Sequence, residues 1–176
     1  MQQKFIHCDG SSLSNPGFAS GGFYVEGSNH IKCHGYLKAS NNHVELHAML
    51  MALNYIASLP DKEQQWFITT DSGYVFDGLT KYAPGWITRH WKGVKNVELF
   101  RPTYHLYKVV SHRVELLKVK GHSDHLGNRI INDAVQMHSR LVRDGTSPEG
   151  SYAILLEDVF KSHPIIYKEQ LAQIQS

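Results

Sequence analysis

The sequence predicts an α/β domain on a mixed sheet, and three observations carry that prediction. Near the N-terminus, strand-like runs alternate with turn chemistry, as in an antiparallel meander. A long apolar helix then separates the third strand from a fourth, and strand–crossover–strand order implies parallel pairing with the first. Two of the strand-like runs end on an aspartate, Asp9 after Phe5-Ile6-His7-Cys8 and Asp71 after Trp66-Phe67-Ile68-Thr69-Thr70. The two acids therefore stand at analogous strand ends.

Taken in order, residues 4–9 read as the first strand, and the turn-rich Gly10-Ser11-Ser12-Leu13-Ser14-Asn15-Pro16-Gly17 follows it. Residues 21–26 and 31–37 form the next two strands across Gly27-Ser28-Asn29-His30. Ser40-Asn41-Asn42 supplies capping oxygens for a helix reaching Ser58, which Pro60-Asp61 breaks. Residues 65–70 make the fourth strand, and a helix opens from Ser72. Gly78, Pro84-Gly85 and Gly93 punctuate a segment rich in Trp, Arg, Lys and His. Residues 98–110 read as a helix, 113–119 as a fifth strand and 130–142 as a last helix. Residues 1–143 are the expected catalytic body, and 144–176 an extension that is either docked or partly mobile, with an amphipathic stretch at 152–160.

The chain's 176 residues, 41% apolar and 19% charged, suffice for one domain with a substantial core. No apolar run approaches the roughly 18 residues of a spanning helix, and the first strand leaves no room for a signal peptide, so a cytoplasmic, membrane-free protein is expected. The absence of a long exposed apolar stripe outside the extension leads to the expectation of a monomer. A net charge of +2 does not imply nucleic-acid binding by itself, so a local basic patch must supply it. Cys8 and Cys33 read as free, partly buried thiols, and most of the 12 histidines as surface or half-buried rings.

Glu45 is the one Asp, Glu, Lys or Arg between Asn42 and Ala57, in a helix apolar round most of its circumference. A buried lone carboxylate costs roughly several kcal/mol or stays protonated, and a shared cation removes that cost. Asp9, Glu45 and Asp71 therefore read as a divalent-metal site. Two zinc-like spacings fail to compete: His43 and His47 flank Glu45 in the order His-Val-Glu-Leu-His rather than His-Glu-x-x-His, and His122 and His125 share one loop.

Four motifs occur in order: Asp9-Gly10-Ser11 with Asn15-Pro16-Gly17, Asn41-Asn42-His43-Val44-Glu45-Leu46, Thr70-Asp71-Ser72-Gly73-Tyr74-Val75, and Val119-Lys120-Gly121-His122-Ser123. Through them residues 4–142 closely resemble ribonuclease H type 1, of the bacterial ribonuclease HI kind. The resemblance implies a ribonuclease H fold, a mixed five-stranded sheet with helices on both faces, and magnesium-dependent cleavage of RNA in RNA–DNA hybrids. Hard oxygen ligands suit Mg²⁺, with Mn²⁺ as a substitute, and a pair of ions about 4 Å apart suits phosphodiester hydrolysis. Asp9 is assigned to bridge the ions, with Glu45 and Asp71 flanking them. His122 takes the family's role of a mobile proton shuttle.

The resemblance also matches Asn15, Ser40, Asn41, Asn42 and Asn96 to hybrid-contacting positions, all of which have turn or capping duty as their bland alternative. Gly73 stands where the family often has glutamine, removing one contact to the RNA strand. Residues 81–95 resemble the basic protrusion of bacterial enzymes, offering Lys81, Arg89, His90, Lys92 and Lys95 among Tyr82, Trp86 and Trp91. The tryptophans serve either substrate sugars or the core of a helical hairpin.

The fourth active-site residue is a departure. Counting from Gly121-His122 and Asn128 without a gap puts Asn132 where the family has aspartate, whereas Asp133 needs one inserted residue. Helical phase decides: with Ile131, Ala134, Val135, His138, Leu141 and Val142 as the buried stripe, Asn132 falls about 100° from Ile131 at its edge, and Asp133 about 200° away, toward solvent. Two other readings remain, a related-fold DNA nuclease of the integrase or resolvase kind and a catalytically inactive hybrid-binding module. The Gly121-His122 loop and asparagine-rich helix start oppose the first, and the intact acids oppose the second.

Overall fold

The computed structural model describes residues 2–121 and 124–175. β1 (Lys4–Ser12), β2 (Gly17–Val25) and β3 (Ile31–Ala39) form the expected meander, and α1 (Asn41–Ser58) crosses to β4 (Trp66–Thr70), which pairs parallel with β1. Beyond β4 come α2 (Gly73–Asp77), a π-helical turn at Gly78–Tyr82, α3 (Ala83–Thr88) and α4 (Val97–Val110). β5 (Val114–Lys118) then lies parallel to β4, and α5 (Leu126–Arg143) packs on β1, β2 and β3. α5 starts at Leu126, before the expected residue 130, because His125 caps it, accepting from the Gly127 amide at 3.3 Å.

The sheet has six strands rather than five. β6 (Gly150–Ala153) comes from the extension and pairs antiparallel with β3, giving the order β5-β4-β1-β2-β3-β6. Four residues are too few to carry a clear strand signal, so the expected amphipathic stretch at 152–160 resolves into the end of β6 and then α6 (Leu156–Ser162). α7 (Lys168–Gln175) closes the chain.

Two cores flank the sheet. On one side α1 and α4 bury Leu46, Met49, Leu53, Ile56 and Phe100 against Ile6 and Ile68. α1 lacks a polar face because it is covered by the sheet on one side and α4 on another. On the other side α5 buries Ile130, Ile131, Ala134 and Val135 together with Val159, Phe160 and Tyr167 of the extension. Burying an aromatic side chain such as the fully covered Tyr167 contributes about 1.5–3 kcal/mol, so this part of the extension is docked. Cys8 and Cys33 are free, as read, but fully buried rather than partly so.

Candidate active site

Two neighbouring strands and one helix start build the site. β1 and β4 pair in parallel from Lys4 opposite Trp66 to His7 opposite Thr69, which sets Asp9, inside β1 rather than at the strand end expected from the sequence, beside Asp71, the residue after β4. α1 brings Glu45 from above, and glycines permit its close approach. A Cβ at Gly10 would lie 2.9 Å from the Glu45 amide nitrogen, and one at Gly21 would lie 2.2 Å from the Val44 carbonyl oxygen. Ser40 fixes the helix start by accepting from the His43 amide at 3.2 Å. One oxygen from each of Asp9, Glu45 and Asp71 then lies within 4.8 Å of the others.

This proximity is electrostatically costly. Burial, then the neighbouring Asp71 charge, raises the Asp9 pKa to about 7. Burial, then Asp71 and Asp9, raises that of Glu45 to about 8. Hydrogen bonds oppose the trend only in part: Asp9 accepts from the Gly10 amide at 2.8 Å and from Asn132 Nδ2 at 2.9 Å. A divalent cation meets both causes at once, replacing lost hydration and screening the mutual repulsion. The all-oxygen donor set fits a hard ion such as Mg²⁺ or Mn²⁺.

Asn132 lies at the stripe's edge as its phase predicts, and its reach to Asp9 puts it beside the acids. Its Oδ1 accepts from Gln136 Nε2 at 3.0 Å. Asp133 does not face solvent. It is buried, and its Oδ2 accepts a 2.5 Å hydrogen bond from the hydroxyl of Tyr167, because the extension packs over the side of α5 that a single-stripe reading leaves open. His163 Nδ1 lies 3.9 Å from the same oxygen, and His163 and Ile166 join Asp9, Asp71, Lys120 and Asn132 in lining the cleft. Sequence reasoning missed this contribution of the extension to the cleft.

The expected substrate-contacting residues fall in two groups. Asn15 Oδ1 accepts from the Asn41 amide and Asn41 Oδ1 from the Ser12 amide, each at 3.1 Å, so these side chains tie the β1–β2 turn to the start of α1, where Ser40 and Asn42 also sit. Asn96 caps α4 in a left-handed conformation, φ 55°, and donates to the Tyr74 hydroxyl at 3.0 Å. Arg89, Lys92 and Lys95 are exposed. Trp86 instead packs edge-on against Phe100 at 5.0 Å, and Trp91 against Tyr104 at 6.3 Å. The tryptophans, half-buried, pack against the core as the packing reading has it. His122 lies outside the described residues.

A mixed α/β sheet whose carboxylates on β1 and just after β4 converge with Glu45 at one cleft defines a ribonuclease H-like nuclease fold. The RNase H family model matches residues 1–139. Among relatives, a ribonuclease H of Maricaulis maris is 35% identical over 130 residues, covering 70% of this chain and 84% of its own length. One from Chromohalobacter salexigens is 35% identical over 137 residues, covering 74% and 80%. In structure, LC9-RNase H1, described as a type 1 RNase H with the type 2 active-site motif, is similar with a TM-score of 0.67 at 22% identity, over 94% of this chain and 84% of that one. The PFV RNase H domain gives a TM-score of 0.64 at 16% identity, over 78% and 94%. The chain belongs to the RNase H family, type 1, and is accordingly an endonuclease, a hydrolase of phosphodiester bonds. Among the described residues no helix is long and apolar enough to cross a membrane.

Proposed function

We propose that this protein hydrolyses the RNA strand of RNA–DNA hybrids with two Mg²⁺ ions held by Asp9, Glu45 and Asp71, Asp9 bridging. The observation that carries the reading is the convergence of three carboxylates from β1, α1 and the end of β4 within 4.8 Å. Ions so held would lower the pKa of an attacking water and stabilise the leaving oxygen. The chain's own part is positional: Asn132 steadies Asp9, and His122, which the sequence places in the connection between β5 and α5, is assigned the proton transfer. Asn15, Ser40, Asn41, Asn42 and Asn96 are assigned to the sugar–phosphate backbone, suiting a nuclease that reads helix shape rather than base edges. Incubation with labelled hybrid, duplex DNA and duplex RNA, with and without Mg²⁺, tests the reading. Cleavage of hybrid alone, and only with the ion, is expected; cleavage of duplex DNA overturns it.

Neutralising Lys92 and Lys95 together should weaken hybrid binding and flatten its salt dependence, since each lost phosphate contact removes roughly 0.7–0.9 from the log–log slope. Turnover at saturating hybrid should change much less. Binding titrations at several salt concentrations decide this, and an unchanged slope removes the segment from the interface.

His122→Ala should lower turnover by about 10²- to 10⁴-fold, as loss of a general acid–base group does, while leaving hybrid affinity intact. Single-turnover rates read the effect. A wild-type rate makes His122 a bystander.

A further inference from the structure

Two residues before Asp9, a second set of metal-ligating groups gathers. His7 Nε2 lies 2.9 Å and His125 Nε2 3.7 Å from a single oxygen, Glu26 Oε1. The three ligand atoms all fall within 4.8 Å of one another. Tetrahedral coordination with bonds of about 2.0–2.1 Å separates its ligands by about 3.4 Å, so these atoms need only small shifts. We infer that His7, Glu26 and His125 form a second divalent-metal site, for a zinc-class transition ion and distinct from the acidic site assigned to magnesium.

Hydrogen-bond bookkeeping around His7 points to a cation. Thr69 Oγ1 donates its proton to Asn128 Oδ1 at 2.8 Å, so the 2.7 Å contact between Thr69 Oγ1 and His7 Nδ1 needs the proton on the ring nitrogen. In the neutral ring this leaves the Nε2 lone pair aimed at a carboxylate oxygen 2.9 Å away. Two acceptors at that distance repel unless positive charge sits between them, either an extra proton or a metal ion. Metal-bound histidines commonly donate their other ring N–H in this way, which fixes tautomer and ring orientation.

The surroundings keep the position accessible. His7 is buried, whereas the side chains of Glu26 and His125 are 39% and 53% exposed. A Cβ at Gly127 would lie 2.3 Å from His7 Nε2 and 3.1 Å from Glu26 Oε1, so glycine there spares the ligand atoms. Two imidazoles and one carboxylate suit a zinc-class ion over Mg²⁺, and leave a coordination position for water. His125 makes one sacrifice: ligation through Nε2 shifts its proton to Nδ1, which gives up the long 3.3 Å bond from the Gly127 amide. A bound ion would tie β1 and the residue that follows β2 to the residue that caps α5.

The test uses the full chain carrying Asp9→Asn and Asp71→Asn, so that the acidic cluster no longer competes, with Co²⁺ as the probe. One equivalent of Co²⁺ should give a visible absorption band that Zn²⁺ abolishes and millimolar Mg²⁺ does not. Adding Glu26→Gln or His125→Asn should weaken Co²⁺ binding by more than the roughly 10- to 100-fold cost of losing an outer hydrogen-bond partner. Gly127→Ala should also weaken it, by intruding on His7 Nε2. Far-UV circular dichroism confirms that each variant is folded. No Co²⁺ band, or unchanged affinity after both ligand substitutions, overturns the site and leaves the magnesium-dependent reading as it stands.

Discussion

Asp9→Asn, Glu45→Gln or Asp71→Asn should each abolish hybrid cleavage while preserving the fold, because each keeps side-chain shape and removes one ligand charge. The same variants should gain stability in metal-free buffer. Asp9 and Glu45 are raised from 3.8 to about 7 and from 4.5 to about 8, by burial and by the neighbouring acids. The folded chain therefore holds these protons more tightly than the unfolded chain, and with chelator present wild-type stability should fall as pH rises from about 4 to about 8. The amide variants should flatten that fall, and so should added Mg²⁺, which draws both pKa values down. Hybrid cleavage and thermal melts across this pH range check both halves. Full activity in any of the three variants removes the metal assignment, and a melting temperature that climbs with pH in chelator removes the electrostatic account.

Much of this site is legible in the sequence because local rules fix it. Strand alternation and the crossover rule place Asp9 and Asp71 at neighbouring strands, although β1 runs on past Asp9 to Ser12, and a lone charge in an apolar helix singles out Glu45. Phase likewise puts Asn132 at the edge of its stripe. What local rules miss comes from a second layer of packing. The phase of α5 accounts for one buried stripe, but Asp133 and Ile130 are also buried, because α6 and Tyr167 cover another side of the helix. Nothing within residues 150–167 announces where that segment docks. Glycine at 127, inside a helix, and a histidine in the apolar run before Asp9 were the available signals for the cluster around Glu26.

The buried Asp133 changes what its removal should do. A solvent-facing aspartate could be truncated silently, whereas here Asp133→Ala strands the Tyr167 hydroxyl, which is fully buried and donates to Asp133 Oδ2 at 2.5 Å. Leaving a buried donor or acceptor unsatisfied costs about 1–3 kcal/mol, so Asp133→Ala and Tyr167→Phe should each lower the melting temperature by several degrees. The two should not add: once one partner is gone the second loses little more, giving a coupling of roughly 0.5–3 kcal/mol in a double-mutant cycle. Cleavage per folded molecule should survive Asp133→Ala, since the contact with Asp9 comes from Asn132 Nδ2. Asn132→Asp should keep or raise activity with Mg²⁺ by restoring a fourth charge, and should destabilise the metal-free chain by adding a carboxylate beside Asp9. A dead but folded Asp133→Ala enzyme, with Asn132→Ala indifferent, would reverse the assignment and make Asp133 the fourth ligand, with Tyr167 its support.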